Sequence, residues 1–312
     1  MNRRRCLSLL SATGAASLLG NGCQRGVREE VTRWRGVLFN SDVDMAVHAM
    51  PPAVAEPLIR NCELEMQRLE KLFSLYLPDS PLSRLNRTGR LDNPPPELVD
   101  LVRKALLVAE RSGGAFDPTI QPYWTWLRET VETTGAINPE AQAQFLEKVD
   151  FRQVRCGEDE LSFGREGMAL TLNGLSQGWI TDRASEILRD GGAQHCLVNL
   201  GEFYGLGTQP SGEDWIVGLR GVEGEEIALR DRALAVSSGA GLYFGTGERR
   251  NHIIDPRNGD CVEARKVVAV TAPEAWLADA LSTACSVLEE GKARDLIAQW
   301  EDVELFIYKN GL

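Results

Sequence analysis

Asp279 and Thr283 stand four residues apart in WLADALSTAC, a stretch whose other members, Trp276, Leu277, Ala280, Leu281 and Ala284, suit a buried helix. Residues i and i+4 share one helix face, so a carboxylate and a hydroxyl project from the same side of an otherwise apolar segment. Upstream, Thr271-Ala272-Pro273-Glu274 has the residue types of a helix start, with Thr271 as cap and Pro273 in the first turn. Asp279 then falls beyond the first turn, where the helix dipole no longer explains an acid. Two readings remain. Either the acid belongs to an exposed stripe on a half-buried helix, or the pair is a partial oxygen shell for a hard cation. Mg²⁺ would complete such a shell with water, backbone or phosphate oxygens.

His252, in NHIIDPRNG, is the second group whose chemistry stands out. Imidazole titrates near neutrality and can accept a proton from a hydroxyl. The plain alternative is a strand histidine that bonds Asp255 or the backbone. Other chemistries are excluded by pattern. No G-x-G-x-x-G follows a strand, and there is no G-x-x-x-x-G-K-[ST] phosphate loop. The seven cysteines contain no C-x-x-C pair, and three histidines are too few for a His-rich metal site. Cys62, Cys196 and Cys285 lie in apolar periodic runs and read as small packing residues.

These groups need a scaffold. With 312 residues, 43% of them hydrophobic, the chain can bury a sizeable core. The net charge of −11 weighs against a nucleic-acid partner. It also means that a phosphorylated ligand would need a local cation. Residues 1–22 carry paired arginines before a modest apolar run, broken by Gly14, which reads as an export signal rather than a membrane span. The arginine pair resembles the twin-arginine signal. Cys23 after Gly22 offers a possible lipid anchor, with ordinary cleavage nearby as the alternative. The expected location is therefore the periplasmic side of the membrane. Residues 23–32 read as a tether and 33–312 as the domain.

Within that domain the periodicities predict a strand over 42–50, a helix over 57–73, a loop through YLPDSPLSRLNRTG, and a helix from Pro96 that stops at Gly113-Gly114. A helix over 139–148 follows, then strands near 153–156, 161–163 and 169–172, a helix over 178–189 and a buried strand at 195–201. Hairpin-like segments at 215–219, 226–229 and 234–237 precede strands at 252–254 and 267–271. The Asp279 helix, a helix over 292–300 and a strand at 303–308 close the chain. Helices and strands mix without regular β-α-β alternation. The expected class is α+β, one domain with a sheet core flanked by helices, and not a Rossmann fold.

Four stretches, in order, resemble the ApbE family, the FAD:protein FMN transferases. LFSLYLPDSPLSRLN resembles the family's F-S-x-Y…S-x-L-x-x-L-N loop, and GGAFDPTIQPYWTW its G-x-F-D-x-T…P-x-x-x-x-W segment. LTLNGLSQGWITDRASEIL…VNLGEFYGLG resembles D-L-x-G-I-A-K-G-x-x-x-D and the N-L-G strand after it. The last runs from VSSGAG through NHIIDPRNG to LADALSTAC, resembling S-G…H-I-I-D-P-x-T-G and A-D-A-x-x-T. The resemblance spans about residues 34 to 310. It implies Mg²⁺ held by Asp279, Thr283 and the backbone carbonyl of Gly174, with His252 accepting the proton of an attacking hydroxyl. It carries flavin contacts to Phe39, Tyr76, Ala115, Phe116, Asp117 and Ile254, and ligand contacts to Thr171 and Gln177. The implied reaction is Mg²⁺-dependent transfer of FMN from FAD to a Thr or Ser of an exported or membrane redox protein, by attack of the hydroxyl oxygen on phosphorus with release of AMP. A non-catalytic FAD carrier and an FAD pyrophosphatase are the alternatives. Departures gather in one motif: Thr171 stands for the usual Asp, Gln177 for Lys and Ser176 for Ala, while Phe39-Asn40-Ser41 replaces M-G-T.

Overall fold

A computed structural model describes residues 30–219, 221–245 and 250–309. The arginine pair and Cys23 lie outside the described residues.

The first element is a hairpin that the sequence half conceals. β1 (Val31–Leu38) and β2 (Ser41–His48) pair antiparallel, with Val31 opposite His48 and Leu38 opposite Ser41. Phe39 and Asn40 connect them with φ of 47° and 65°, the positive values a two-residue hairpin turn demands. β1 begins inside the segment read as tether, because VTRWRGVL interleaves arginines with its apolar residues as an edge strand does. α1 (Pro52–Phe73) buries Ala55, Ile59, Cys62, Met66, Leu69 and Phe73 along one stripe. It starts before Pro57, the residue expected to open it. Pro57 sits inside the helix near its exposed end, where water can serve the carbonyl that its missing N–H leaves free.

α2 (Pro81–Thr88) occupies the segment expected as loop. Its Pro and Ser residues are capping chemistry: Ser80 Oγ accepts from Ser83 N at 2.9 Å, Pro81 opens the helix, and Gly89 closes it at φ 72°. After β3 (Arg90–Asp92), α3 (Pro96–Arg111) runs as expected. α4 (Gln121–Thr133) was hidden by its aromatic and β-branched residues. α5 (Pro139–Leu146), β4 (Val154–Cys156) and β5 (Glu160–Phe163) follow. Residues 169–172 belong to no ladder. The Asn86 side chain stands in for a neighbouring strand, donating to Leu170 O at 2.8 Å and accepting from Leu170 N at 2.7 Å.

Next come α6 (Ser176–Asp190), β6 (His195–Asn199), β7 (Phe203–Gly207), β8 (Trp215–Gly218), β9 (Glu226–Leu229) and β10 (Arg232–Ser238). The expected strand at 252–254 contributes only isolated bridges, Tyr243 with Asn251 and Ile254 with Cys261. β11 (Lys266–Ala272), α7 (Ala275–Val287), α8 (Glu290–Ile297) and β12 (Glu304–Lys309) complete the described chain.

A seven-stranded sheet in the order β1-β2-β6-β7-β10-β11-β12 is antiparallel at every pairing. The fold is therefore α+β, with a sheet core and flanking helices. Side chains alternate between sheet faces. Ala233, Ala235, Val268 and Val270 join the main core, with residues of α1, α6 and α7. Leu234 and Ala269 point the other way, into a smaller core with Trp215, Val217 and Leu229 from β8 and β9. A third cluster, Tyr123, Leu127, Phe244 and Ile254, joins α4 to the segment that carries His252. Cys62, Cys196 and Cys285 are buried and free, as their surroundings in sequence imply, and burial pushes each thiol up to about 12.

Candidate active site

One cleft of about 1170 Å³ brings together Phe39, Tyr76, Ala115, Phe116, Asp117, Thr171, Gly174, Gln177, His252, Ile254, Asp279 and Thr283. It exceeds the range of about 300–1,000 Å³ common for small-molecule sites, which suits a ligand as long as a dinucleotide.

The floor is set by the contact between α6 and α7. Gly178 makes it possible, since an added Cβ would come within 2.3 Å of Ala275 O. Its N–H donates to Asp279 Oδ2 at 3.3 Å. α7 starts after Glu274, and Thr271 belongs to β11, so the expected cap is displaced. Asp279 still lies beyond the first turn. The N–H groups there are satisfied by Asp182 of α6, which accepts from Ala275 N at 2.6 Å and Trp276 N at 2.9 Å. Asp182 is the final Asp of the third motif, so its presence was visible while its role was not.

Asp279 is buried, 6% exposed, and no ion pair reaches it among the described residues. Burial pushes its carboxyl up to about 7; the Gly178 N–H opposes that and the Asp182 charge adds to it. Glu202 lines the same cleft and was not singled out in the sequence. Burial, then the charge of Asp279, holds its carboxyl well above the usual range, against a hydrogen bond from the Val236 backbone. Thr283 is half-buried, and its hydroxyl makes no hydrogen bond among the described residues. The Gly174 backbone lies alongside it: a Cβ added there would sit 3.5 Å from Thr283 Oγ1. Among the described residues no three His, Cys, Asp or Glu side chains converge. Any cation here would rest on carboxylates, a hydroxyl and backbone oxygen.

His252 faces the cleft from the opposite side. Its Nδ1 lies 3.3 Å from Leu242 O. A carbonyl only accepts, so Nδ1 carries the proton and Nε2 presents a lone pair. Asp255 does not orient it, being paired with Arg257 at 2.7 Å. Burial lowers the His252 pKa, with the Leu242 carbonyl opposing, which keeps the ring neutral and able to accept a proton. Trp124 of α4 fixes this segment by donating from Nε1 to His252 O at 3.2 Å.

The expected flavin residues divide by what they can offer. Phe116, Ala115 and Ile254 are buried wall residues. Tyr76 is 67% exposed at the rim, free to lay its ring on a ligand. Phe39 sits in the β1–β2 turn, where Glu70 holds its N–H at 3.0 Å. Asp117 turns its carboxylate inward, accepting from Thr119 N and Oγ1 at 2.8 and 2.6 Å and Phe151 N at 3.1 Å, so its role is to cap and position the wall. Thr171 Oγ1 accepts from Asn173 N at 3.3 Å. Gln177 packs on Gly201, and its buried Nε2 has no hydrogen-bond partner. No hydrogen bond joins Thr171 to Gln177.

Acids dominate this lining. Asp42, Asp117, Glu129, Glu132, Glu202 and Asp279 line the cleft, with Arg128 as its only Lys or Arg among the described residues. Arg128 lies over Trp124, 5.6 Å from the ring centre, and pairs with Glu132 at 3.0 Å.

Comparison with known proteins places this antiparallel α+β scaffold among the flavin transferases. The chain belongs to the ApbE family, whose model matches residues 39–307. It is similar to the FAD:protein FMN transferase of Treponema pallidum (strain Nichols), 29% identical over 273 residues that cover 78% of this chain and 75% of that protein. It is also similar to the FAD:protein FMN transferase of Escherichia coli (strain K12), 23% identical over 330 aligned positions covering 95% and 91%. Among solved structures, the fold matches the apo flavinyl transferase ApbE of Pseudomonas stutzeri with a TM-score of 0.77 at 23% identity, covering 90% of this chain and 91% of that one. The flavin transferase ApbE of Vibrio cholerae matches with a TM-score of 0.76 at 19% identity, covering 91% and 98%.

Proposed function

We propose that this protein transfers FMN from FAD to a Thr or Ser hydroxyl of an acceptor protein and releases AMP. The observation that carries the reading is the placement of His252 Nε2 and the Asp279–Thr283 face on one cleft large enough for a dinucleotide. In this reaction the acceptor oxygen forms a bond to the phosphorus that bears the flavin, and the phosphoanhydride bond to AMP breaks. His252 Nε2 takes the hydroxyl proton, and AMP leaves with the bridging oxygen. Tyr76, Phe116 and Ile254 offer the apolar surface that an isoalloxazine ring would contact.

The residues on the floor fit Mg²⁺. Asp279 is a buried carboxylate without a cationic partner, Thr283 has an unengaged hydroxyl, and the Gly174 backbone lies beside it. Asp279, Thr283 and the Gly174 carbonyl would hold the ion, and when bound it would offset the charge gathering on the pyrophosphate oxygens. Among the described residues the cleft lining holds one arginine, Arg128, and it is paired with Glu132.

The acceptor, on this reading, is a respiratory or redox protein, as the family resemblance implies, and the export-type N-terminus would put it on the exported side of the membrane. Arg3→Lys with Arg4→Lys is expected to leave precursor in the cytoplasm; normal export would point to a general secretory signal instead. The activity is tested by incubating the protein with FAD, Mg²⁺ and a candidate acceptor. Covalent flavin fluorescence on the denatured acceptor supports transfer. Free FMN without labelling would replace the reading by FAD hydrolysis, and intact bound FAD by a flavin carrier.

A further inference from the structure

Glu202 follows β6 in NLGEFYG and lines the same cleft as Asp279 of α7. The β7–β10 ladder ends with Leu234 opposite Phe203. Val236, just past that last pair, gives its N–H to the Glu202 carboxylate. The next residue, Ser237, contacts Ser282 of α7 through their hydroxyls at 2.7 Å. This end of β10 therefore lies under the turn of α7 that carries Asp279 and Thr283. Glu202 is also anchored through its carbonyl, which accepts from Leu200 N at 3.1 Å and from Thr181 Oγ1 of α6 at 3.5 Å. Glu202 is thus held by β10, by α6 and by its own turn, and it shares the cleft with Asp279, near enough for the two charges to repel.

Among the described residues no basic side chain answers the two acids. Arg128 is engaged with Trp124 and Glu132. Gln177, the polar side chain beside Gly201, is neutral. Two desolvated carboxylates can coexist in two ways: they share a proton, or a cation lies between them. Thr283, with its unengaged hydroxyl, and the adjacent Gly174 backbone favour the cation, since a shared proton needs neither.

We infer that Glu202 is a ligand of the cation site, a second carboxylate facing Asp279, and that the site therefore holds a divalent cation before FAD arrives. The inference rests on the reading of Asp279 and Thr283 as cation ligands. Two carboxylates bind a hard divalent ion more tightly than one, because affinity follows the ligand charge count. Loss of Glu202 should weaken binding by roughly tenfold or more.

Mn²⁺ can report this without any flavin. The metal-free full-length protein, Glu202→Gln and Asp279→Asn are each titrated with MnCl₂ while electron paramagnetic resonance follows the free aqua ion. Glutamine has the shape and hydrogen-bonding capacity of a protonated glutamate, so Glu202→Gln separates the two arrangements. A weakening of roughly tenfold or more in both variants is the expected result, with Mg²⁺ competing at the wild-type site. If Glu202→Gln overlays the wild type while Asp279→Asn loses Mn²⁺, the inference fails and the Asp279 site stands. If neither substitution changes binding, or if the wild type binds no Mn²⁺ without FAD, the inference fails; indifference to Asp279→Asn removes the Asp279 assignment too. Thermal unfolding without metal serves as the folding control, with Glu202→Gln at least as stable as the wild type because an unpaired buried charge is gone. Should Glu202→Gln fail to fold, Glu202→Asp provides the same test through its shorter reach: it keeps the charge and should bind Mn²⁺ more weakly than the wild type, and equal affinity would overturn the inference.

Discussion

Gly178 and Asp279 meet where two helices touch: the glycine N–H reaches the carboxylate at 3.3 Å, and the absent side chain lets α7 lie against α6. The same residue thus sets the helix distance and holds the acid on the cleft floor. Gly178→Ala would drive a methyl to 2.3 Å from Ala275 O and 2.7 Å from Trp276 Cα. Backbone cannot move aside as a flexible side chain does. A stability loss of about 1–3 kcal/mol is expected from overpacking, together with weaker Mg²⁺ binding as Asp279 shifts. Thermal unfolding and a Mg²⁺ titration check both, and an unchanged midpoint would mean that the helices are less tightly joined than this contact requires.

Asp182 gives the fold a pH dependence with a definite sign. It caps α7 from α6, yet burial pushes its carboxyl up to about 7, against the two N–H groups it accepts. An unfolded aspartate titrates near ~3.9. Between those values the folded protein holds a proton that the unfolded chain has released, so stability falls as pH rises through this window and levels off above about 7. The thermal midpoint of the metal-free protein should be higher at the acidic end of that window than at its neutral end. Asp182→Asn should remove part of this slope and cost about 1–3 kcal/mol, because an amide cannot accept from both Ala275 N and Trp276 N. A slope of the opposite sign in the wild type would show that Asp182 stays ionised when buried.

Much of this arrangement is legible in the sequence, and what is not has physical causes. α3 and α7 were visible because an apolar stripe repeats with helical period, and Gly113-Gly114 marks an end that local chemistry alone explains. α4 was invisible because Tyr123, Trp124 and Trp126 are β-prone, and they become helical by filling the third core cluster. The run at 169–172 reads as a strand by alternation but joins no ladder: the Asn86 side chain pairs with Leu170, and Thr171 N donates to Pro118 O at 2.8 Å. The site follows the same rule. Asp279, Thr283 and His252 stand out within their own motifs. Asp182 and Glu202 acquire theirs from Ala275 and Val236, distant in sequence, and only folding brings those groups together. Asp117 illustrates the converse, a motif residue expected to meet the flavin whose carboxylate is spent on Thr119 and Phe151.

Thr171 and Gln177 replace an Asp and a Lys of the family pattern, which suggests an ion pair exchanged for two neutral groups. In the folded protein Thr171 bonds within its own turn and Gln177 packs on Gly201. With no hydrogen bond between them, Thr171→Asp and Gln177→Lys should act on FAD affinity independently, to within about 0.5 kcal/mol. Gln177→Lys alone would bring a cation toward the Glu202 and Asp279 side of the cleft and should weaken Mn²⁺ binding by competition. A double-mutant cycle on FAD binding checks the first expectation; strong coupling would mean that the charged pair re-forms when both residues are restored.

His252 offers the sharpest test of the chemistry, because its ring is held in one tautomer and its burial sets the sign of its titration. Nδ1–H points to Leu242 O, and Nε2 is left to accept the acceptor's proton. Burial lowers the pKa, so the ring is already neutral at pH values where an exposed histidine is still largely charged. The acid limb of kcat/KM for labelling should therefore have its midpoint below the ordinary histidine value of about 6.5, with activity rising as the ring loses its proton. His252→Ala should lower labelling by about 10²–10⁴-fold, the usual contribution of a positioned base. Its FAD and Mn²⁺ affinities should stay near those of the wild type, because Trp124 grips the backbone carbonyl rather than the ring. Raising the pH should restore part of the lost rate by supplying a better ionised nucleophile. If His252→Ala keeps both the rate and the acid limb of the wild type, the proton goes elsewhere, and Nε2 is only part of the wall.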